Sequence, residues 1–123
     1  MDENLKKRIV AAVKNSLSDR FRVIDNTKTG KKIFNGFFPE IILMQLEPPK
    51  NDDIVFLMKF ESDVNIDKIS EWKDYGDSPI PLYLVVPEEK IDQAKKIADA
   101  LDSNIRFATY SVNHADKVTV NYE

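Results

Sequence analysis

Residues 54–60, with the sequence IVFLMKF, contain six apolar residues and one lysine, and they decide the fold of this chain. A short and nearly continuous apolar run of this kind is typical of a strand that is covered on both faces of its sheet. The segments IILM at 41–44 and LYLVV at 82–86 have the same character, and residues 105–110 supply a last core strand. The sequence therefore predicts a sheet whose central strands are buried on both sides.

Helical patterns alternate with these strands. Apolar residues recur at helical spacing from about residue 3 to residue 18, behind Asp2, whose carboxylate can cap the helix. A second helix is expected to end near residues 75–76, and a third spans residues 88–101. Strong apolar stripes on these segments predict helices that cover the faces of the sheet.

A strand beginning at Phe21 completes the order of elements, which is helix, three strands, helix, strand, helix and strand (α-β-β-β-α-β-α-β). This order predicts an α/β (α+β) fold in which helices cover a mixed sheet. Residues 118–120 can add an edge strand. A length of 123 residues predicts a single domain over residues 1–123.

Composition excludes several classes of site. The chain has no cysteine and one histidine, which excludes disulfides, zinc-thiolate sites, thiol nucleophiles and clusters of several histidines within one chain. No apolar run approaches the roughly 20 residues of a membrane span. The first residues lack the pattern of a signal peptide, so we expect a cytoplasmic protein without a membrane partner.

The net charge of −3 conceals an uneven distribution. Residues 1–50 carry ten basic and six acidic residues (10 − 6 = +4), and residues 51–123 carry eight and fifteen (8 − 15 = −7). The densest basic cluster is Lys28, Lys31 and Lys32, which could contact phosphates or could simply be solvated. Much of the acidic charge is expected on helices that lie away from the site described next.

Three charged residues stand at the ends of predicted strands. Glu40 precedes one buried strand, while Lys59 and Glu61, two residues apart at the end of the next, point to one face. If the two strands pair, these side chains converge. Glu40 and Glu61 could then hold a hard cation such as Mg²⁺, with Lys59 orienting a water molecule. The alternative is a salt bridge where a strand emerges into solvent.

The same residues carry a resemblance to a known family. Pro39-Glu40, then Lys59-Phe60-Glu61 and a helix with Ser70-Glu71-Trp72 resemble the PD-(D/E)xK nuclease superfamily, which has the restriction-endonuclease-like fold. The resemblance implies a mixed central sheet flanked by helices. It also implies DNA phosphodiester hydrolysis by a water molecule activated at Mg²⁺. Many members dimerise, so a homodimer is a further expectation.

The chain departs from the family pattern at one point. The motif has an acid, one residue and then lysine, whereas here Lys59 comes first and Glu61 last. Both positions still point to the same face, but the acid and the base are exchanged. Three interpretations follow: a Mg²⁺-dependent nuclease with Glu40, Lys59 and Glu61 as catalytic residues, a catalytically silent DNA- or protein-binding domain of the same fold, or a small α/β protein with no nucleic-acid role.

Overall fold

A computed structural model describes residues 2–27, 32–46, 54–103 and 105–122 of the chain. These residues form three α-helices and six strands, in the order α1 (Glu3–Leu17), β1 (Phe21–Asp25), β2 (Ile41–Gln45), β3 (Ile54–Phe60), α2 (Ile69–Gly76), β4 (Leu82–Pro87), α3 (Ile91–Ala100), β5 (Arg106–Val112) and β6 (Val118–Tyr122). Short 3₁₀ turns, Ile66–Lys68 and Glu88–Lys90, lead into α2 and α3. Among the described helices, none combines the length and the apolar composition that a membrane span requires.

The predicted mixed α/β class is confirmed, but the predicted order of eight elements is incomplete. The strand β6 follows β5 through a tight hairpin and forms the last strand of the sheet. Its sequence, VTVNY, has only two aliphatic residues, because only one of its faces is covered. The third helix also begins differently from the prediction, since Glu88–Lys90 forms a 3₁₀ turn before α3.

The six strands form one sheet in chain order from β1 to β6. The pairs β1–β2, β2–β3 and β5–β6 are antiparallel, whereas β3–β4 and β4–β5 are parallel. Parallel neighbours need crossover connections, and α2 and α3 supply them. The C-terminal ends of β3, β4 and β5 therefore meet at one end of the sheet. Because β2 runs antiparallel to β3, the start of β2 lies at that same end.

Helices cover both faces of the sheet and create two apolar layers. On one face, α1 buries Ile9, Val10 and Val13 against residues of the central strands, namely Ile41, Leu43, Met58, Phe60, Val85 and Ala108. On the other face, α2 and α3 bury Trp72, Ala94 and Ile97 against Ile42, Leu57, Leu84, Val86 and Phe107. Alternate residues of β2, β3 and β4 enter opposite layers, which explains why these strands are almost entirely apolar.

A tight turn before β2 shapes the approach to the site. The backbone groups of Phe34 and Phe37 exchange hydrogen bonds of 2.8 and 2.9 Å around Asn35 and Gly36. Both central residues have positive φ, 47° for Asn35 and 85° for Gly36, a region that glycine and asparagine adopt most readily. The Asn35 amide donates to the Asp74 carbonyl at 2.7 Å and so ties the turn to α2.

Candidate functional site

Backbone hydrogen bonds bring Glu40 to the C-terminal end of β3. The Glu40 N–H donates to the Met58 carbonyl at 2.9 Å, and the Glu40 carbonyl accepts from the Asn26 N–H at 2.9 Å. The buried Asn26 side chain also donates to the Pro39 carbonyl at 2.9 Å. It therefore clamps the segment immediately before Glu40. Asn26 was not predicted as a site residue, because its contacts join segments that are distant in the sequence.

The Glu40 carboxylate is buried, with 6% of the residue exposed, and it is fully engaged. Its Oε1 accepts from the Phe60 N–H at 2.8 Å. Its Oε2 accepts from the Lys59 Nζ at 3.2 Å, and the Lys6 Nζ lies 3.6 Å from the same oxygen. A buried carboxylate needs such partners because desolvation penalises its charged form. Two ammonium groups from α1 and β3 thus neutralise one carboxylate.

The strand register confirms that Lys59 lies on the face covered by α2 and α3. Lys59 is opposite Leu84, which belongs to that apolar layer, and cross-strand partners share a face. Two residues later, the Glu61 N–H donates to the Val85 carbonyl at 2.9 Å, so the parallel pairing continues past the end of β3. The strand therefore delivers Lys59 and Glu61 to the same side of the sheet.

Glu61 is a half-buried carboxylate. Its Oε1 accepts from the Asp63 N–H at 3.2 Å. Burial raises the pKa of Glu61 above its ordinary value, and the opposing effects of the Asp63 hydrogen bond and of the Lys68 and Lys59 charges do not cancel that rise. A nearby cation would favour the ionised form of such a group.

Glu40, Lys59 and Glu61 line one cleft of about 440 Å³ at this end of the sheet. The cleft contains three lysines and four acids, namely Lys6, Lys59, Lys68, Glu40, Glu61, Glu71 and Asp74, together with the aromatic residues Phe37, Phe38, Phe60 and Tyr75. Burial, followed by the charges of Glu61 and Glu71, raises the pKa of the Tyr75 hydroxyl well above its ordinary value. Tyr75 therefore stays protonated at neutral pH and can act there as a hydrogen-bond donor.

The structure brings together the three residues predicted from the strand ends. Of the three lysines predicted to contact phosphates, Lys28 and Lys31 lie outside the described residues, and Lys32 is exposed and does not line the cleft. The backbone N–H of Lys32 donates to the Asn26 Oδ1 at 2.8 Å, so the backbone of Lys32 helps to hold the Asn26 clamp.

The cleft also contains charged residues that were not predicted there. Lys68 lies 3.6 Å from Glu71 and 4.0 Å from Asp63, and Lys6 reaches the cleft from α1. Glu71 and Asp74 of α2 line the cleft, although much of the acidic charge was expected on helices that lie away from the site. Glu71 lies three residues after Lys68, a spacing that favours contact between side chains, so the ion pair between Lys68 and Glu71 had a local signal in the sequence. The contact between Lys6 and Glu40 had no local signal.

The donor set is compatible with a hard cation. Mg²⁺ is commonly held by one or two carboxylates together with water and substrate phosphate oxygens, and Glu40 and Glu61 supply two carboxylates. Within the described residues there is no group of three or more histidine, cysteine, aspartate or glutamate side chains placed to hold a metal ion. A cation at this site would therefore need ligands from solvent or substrate, and it would have to compete with Lys59 and Lys6 for Glu40.

The arrangement combines two carboxylates, an ammonium group that contacts one of them and a protonated phenol in one cleft. Comparison of the chain with models of known protein families, with curated proteins and with solved structures finds no match.

Proposed function

We propose that this chain is a restriction-endonuclease-like domain that hydrolyses DNA phosphodiesters with the help of Mg²⁺. The observation that carries the proposal is the convergence of Glu40, Lys59 and Glu61 in one cleft at the end of β3. Lys59 lies 3.2 Å from Glu40, close enough for the acid and the base to act on one substrate group. The three motif residues thus lie together in space, although the lysine and the second acid are exchanged in their order along the chain.

The architecture supports the proposed fold. The resemblance implies a mixed sheet flanked by helices, and this chain has a mixed sheet with α1 on one face and α2 and α3 on the other. The antiparallel pairing of β2 with β3 is the feature that matters for chemistry, because it carries Pro39-Glu40 to the end of the strand that bears Lys59.

In the proposed site, Glu40 and Glu61 would hold the ion. When bound, Mg²⁺ would polarise a phosphoryl oxygen and offset the negative charge that develops in the transition state. Glu61 suits this role because its half-buried carboxylate would gain a compensating charge from a bound cation. Glu40 is held in the cleft by the Phe60 N–H, and a cation would bind this carboxylate by displacing the Lys59 ammonium from its Oε2.

The chain's own residues orient the reactants. Lys59 can release Glu40 and donate a hydrogen bond to the attacking water molecule or to a phosphoryl oxygen. The oxygen of that water forms a bond to phosphorus while one bridging P–O bond breaks. The water's proton passes to solvent and the leaving oxygen is protonated, which yields a phosphate monoester and a hydroxyl group. Lys6 and Lys68 add positive charge at the wall of the cleft.

The test is cleavage of labelled single-stranded, duplex and branched DNA in Mg²⁺ or Mn²⁺. We expect Glu40→Gln and Glu61→Gln each to reduce cleavage by at least about 100-fold, since each removes a charged ligand. Asp99→Asn on α3 is the matched control, because Asp99 is exposed and does not line the cleft. Cleavage that survives both Glu40→Gln and Glu61→Gln would refute the assignment of the site.

A second candidate, a catalytically silent DNA-binding domain of the same fold, is favoured by one observation. Lys59 and Lys6 already neutralise Glu40, so a cation would gain less binding free energy from Glu40 than from a carboxylate without such partners. This candidate predicts no cleavage and no calorimetric heat with Mg²⁺, but DNA binding that weakens steeply as salt rises. Protein that neither cuts nor binds DNA at low salt would refute both candidates.

A further inference from the structure

The edge strand β6 ends a hairpin whose turn fixes the direction of its backbone groups. The Asp116 N–H donates to the Asn113 carbonyl at 3.0 Å, and the Asn113 N–H donates to the Lys117 carbonyl at 3.0 Å. Asp116 has a positive φ of 59°. Together these features describe a turn followed by a left-handed residue, the pattern of a common three-residue hairpin loop.

The turn determines which residues of β6 bond to β5. In an antiparallel ladder, hydrogen-bonded and non-hydrogen-bonded pairs alternate. Counting from the bonded pair Asn113–Lys117, the next bonded pairs are Ser111–Thr119 and Thr109–Asn121. The N–H and C=O groups of the intervening residues point away from β5, at the outer edge of the sheet. These residues are Val118, Val120 and Tyr122, so the edge presents three donors and three acceptors.

The strand β6 itself carries none of the side chains or bulges that usually protect an edge strand from pairing. Natural edge strands are usually blunted by charged side chains, proline, bulges or a covering element. The residues of β6 include no charge and no proline, and its register with β5 is regular. The helix α1 covers one face, where Val118 and Val120 pack against the apolar layer. The opposite edge, β1, carries Arg22 and Asp25.

We propose that β6 pairs with the β6 strand of a second copy of this chain, antiparallel and about a two-fold axis at Val120. In this register Val120 pairs with the partner's Val120, and Val118 pairs with the partner's Tyr122. Each outward N–H then meets an outward C=O, so the three donors and three acceptors of each chain are all used. Two sheets of six strands join into one of twelve (6 + 6).

A second copy fits this edge for two physical reasons. A two-fold axis matches a strand to itself, and β6 can match itself because no like charges meet across the axis. The exposed residues Thr119 and Asn121 become opposite neighbours, with Thr119 facing the partner's Asn121. The contact is small, so the dimer should be weak and dependent on protein concentration.

The test is sedimentation velocity over a concentration series from about 1 µM to about 1 mM. The wild-type chain should pass from monomer to dimer across this range. Replacing Thr119→Lys and Asn121→Lys together places like charges opposite each other and should keep the protein monomeric throughout. The intramolecular neighbours of these positions, Ser111 and Thr109, are uncharged, so the folded monomer should tolerate both changes.

The matched control is Thr119→Lys with Asn121→Glu. In the proposed register the lysine introduced at 119 faces the glutamate introduced at position 121 of the second copy, so this variant should dimerise at least as well as the wild type. Circular dichroism checks that all three proteins are folded. A monomeric wild type, a doubly lysine-substituted variant that still dimerises, or a control that stays monomeric would each overturn the proposal.

Discussion

The ion pair between Glu40 and Lys59 gives the most direct test of the site's energetics. The Lys59 Nζ lies 3.2 Å from Glu40 Oε2, and the two side chains are only 19% and 8% exposed. The substitution Lys59→Met removes the charge and keeps an unbranched apolar side chain. It leaves the Glu40 carboxylate buried, with the Phe60 N–H and the Lys6 ammonium as its remaining partners.

The expected loss follows from these distances. At an effective dielectric constant of about 20, two unit charges 3.2 Å apart attract each other by about 5 kcal/mol, but desolvation of the lysine offsets much of this. Removing one partner of a buried pair costs about 3–5 kcal/mol when nothing compensates the other. Because Lys6 remains 3.6 Å from Glu40 and partly compensates its charge, we expect Lys59→Met to lower the free energy of unfolding by about 2 kcal/mol. For a chain of this size, that lowers Tm by about 6–10 °C.

The assay is urea denaturation at pH 7, followed by far-ultraviolet circular dichroism. A double-mutant cycle with Glu40→Gln isolates the coupling between the two side chains. The matched control is Lys68→Met, whose partners Asp63 and Glu71 are 62% and 55% exposed. Exposed pairs of this kind contribute at most about 1 kcal/mol, so Lys68→Met should cost clearly less.

Two results would refute this reasoning. The first is that Lys59→Met lowers the free energy of unfolding no more than Lys68→Met does, which would mean that the burial of Glu40 does not strengthen its interaction with Lys59. If the effects of Lys59→Met and Glu40→Gln simply add, the two side chains are not coupled in solution.

Two further predictions concern Glu61 and Gly76. Burial raises the pKa of Glu61 above 4.5 in the folded state. At a pH between the pKa of the unfolded chain and that of the folded chain, the folded chain keeps a proton that the unfolded chain loses. The wild type therefore loses stability as pH rises through this interval. Glu61→Gln should therefore gain stability relative to the wild type between about pH 4 and pH 7 in urea titrations, and a constant difference would contradict this. The second prediction is that Gly76→Ala destabilises the folded chain by about 1–3 kcal/mol, despite the usual helical preference for alanine. The reason is that the new Cβ would lie 2.5 Å from Ser103 Oγ. Ser103→Gly should relieve most of that loss in thermal melts, and no relief would contradict the steric explanation.

The apolar pattern predicted the centre of the fold because it reports burial directly. The residues of β3 and β4 are apolar at nearly every position, since each strand faces α1 on one side and α2 and α3 on the other. The strand β6 was predicted only as an optional addition. One of its faces is open, so its alternating sequence is short and weak. The 3₁₀ turn Glu88–Lys90 was not predicted, because its residues also suit the first turn of a helix.

The candidate site was predicted where the evidence was local. Glu40, Lys59 and Glu61 could be found because a charged residue at the end of a buried strand is conspicuous, and because residues two apart share a face. Lys6 and Asn26 could not be assigned to the site in this way. They reach Glu40 from α1 and from the end of β1, and no spacing in the sequence encodes those contacts.

The sequence by itself determined a cysteine-free mixed α/β domain with buried central strands and with acid and base residues at the ends of two of them. Only the tertiary structure decided which of those charges meet. Antiparallel pairing of β2 with β3 sets Glu40 beside Lys59, α1 adds Lys6, and α2 adds Glu71 and Asp74 to the same cleft. The physical reason is that hydrophobic periodicity is a local property that reports burial, whereas electrostatic neighbours depend on strand register and helix placement, which arise from contacts between distant segments.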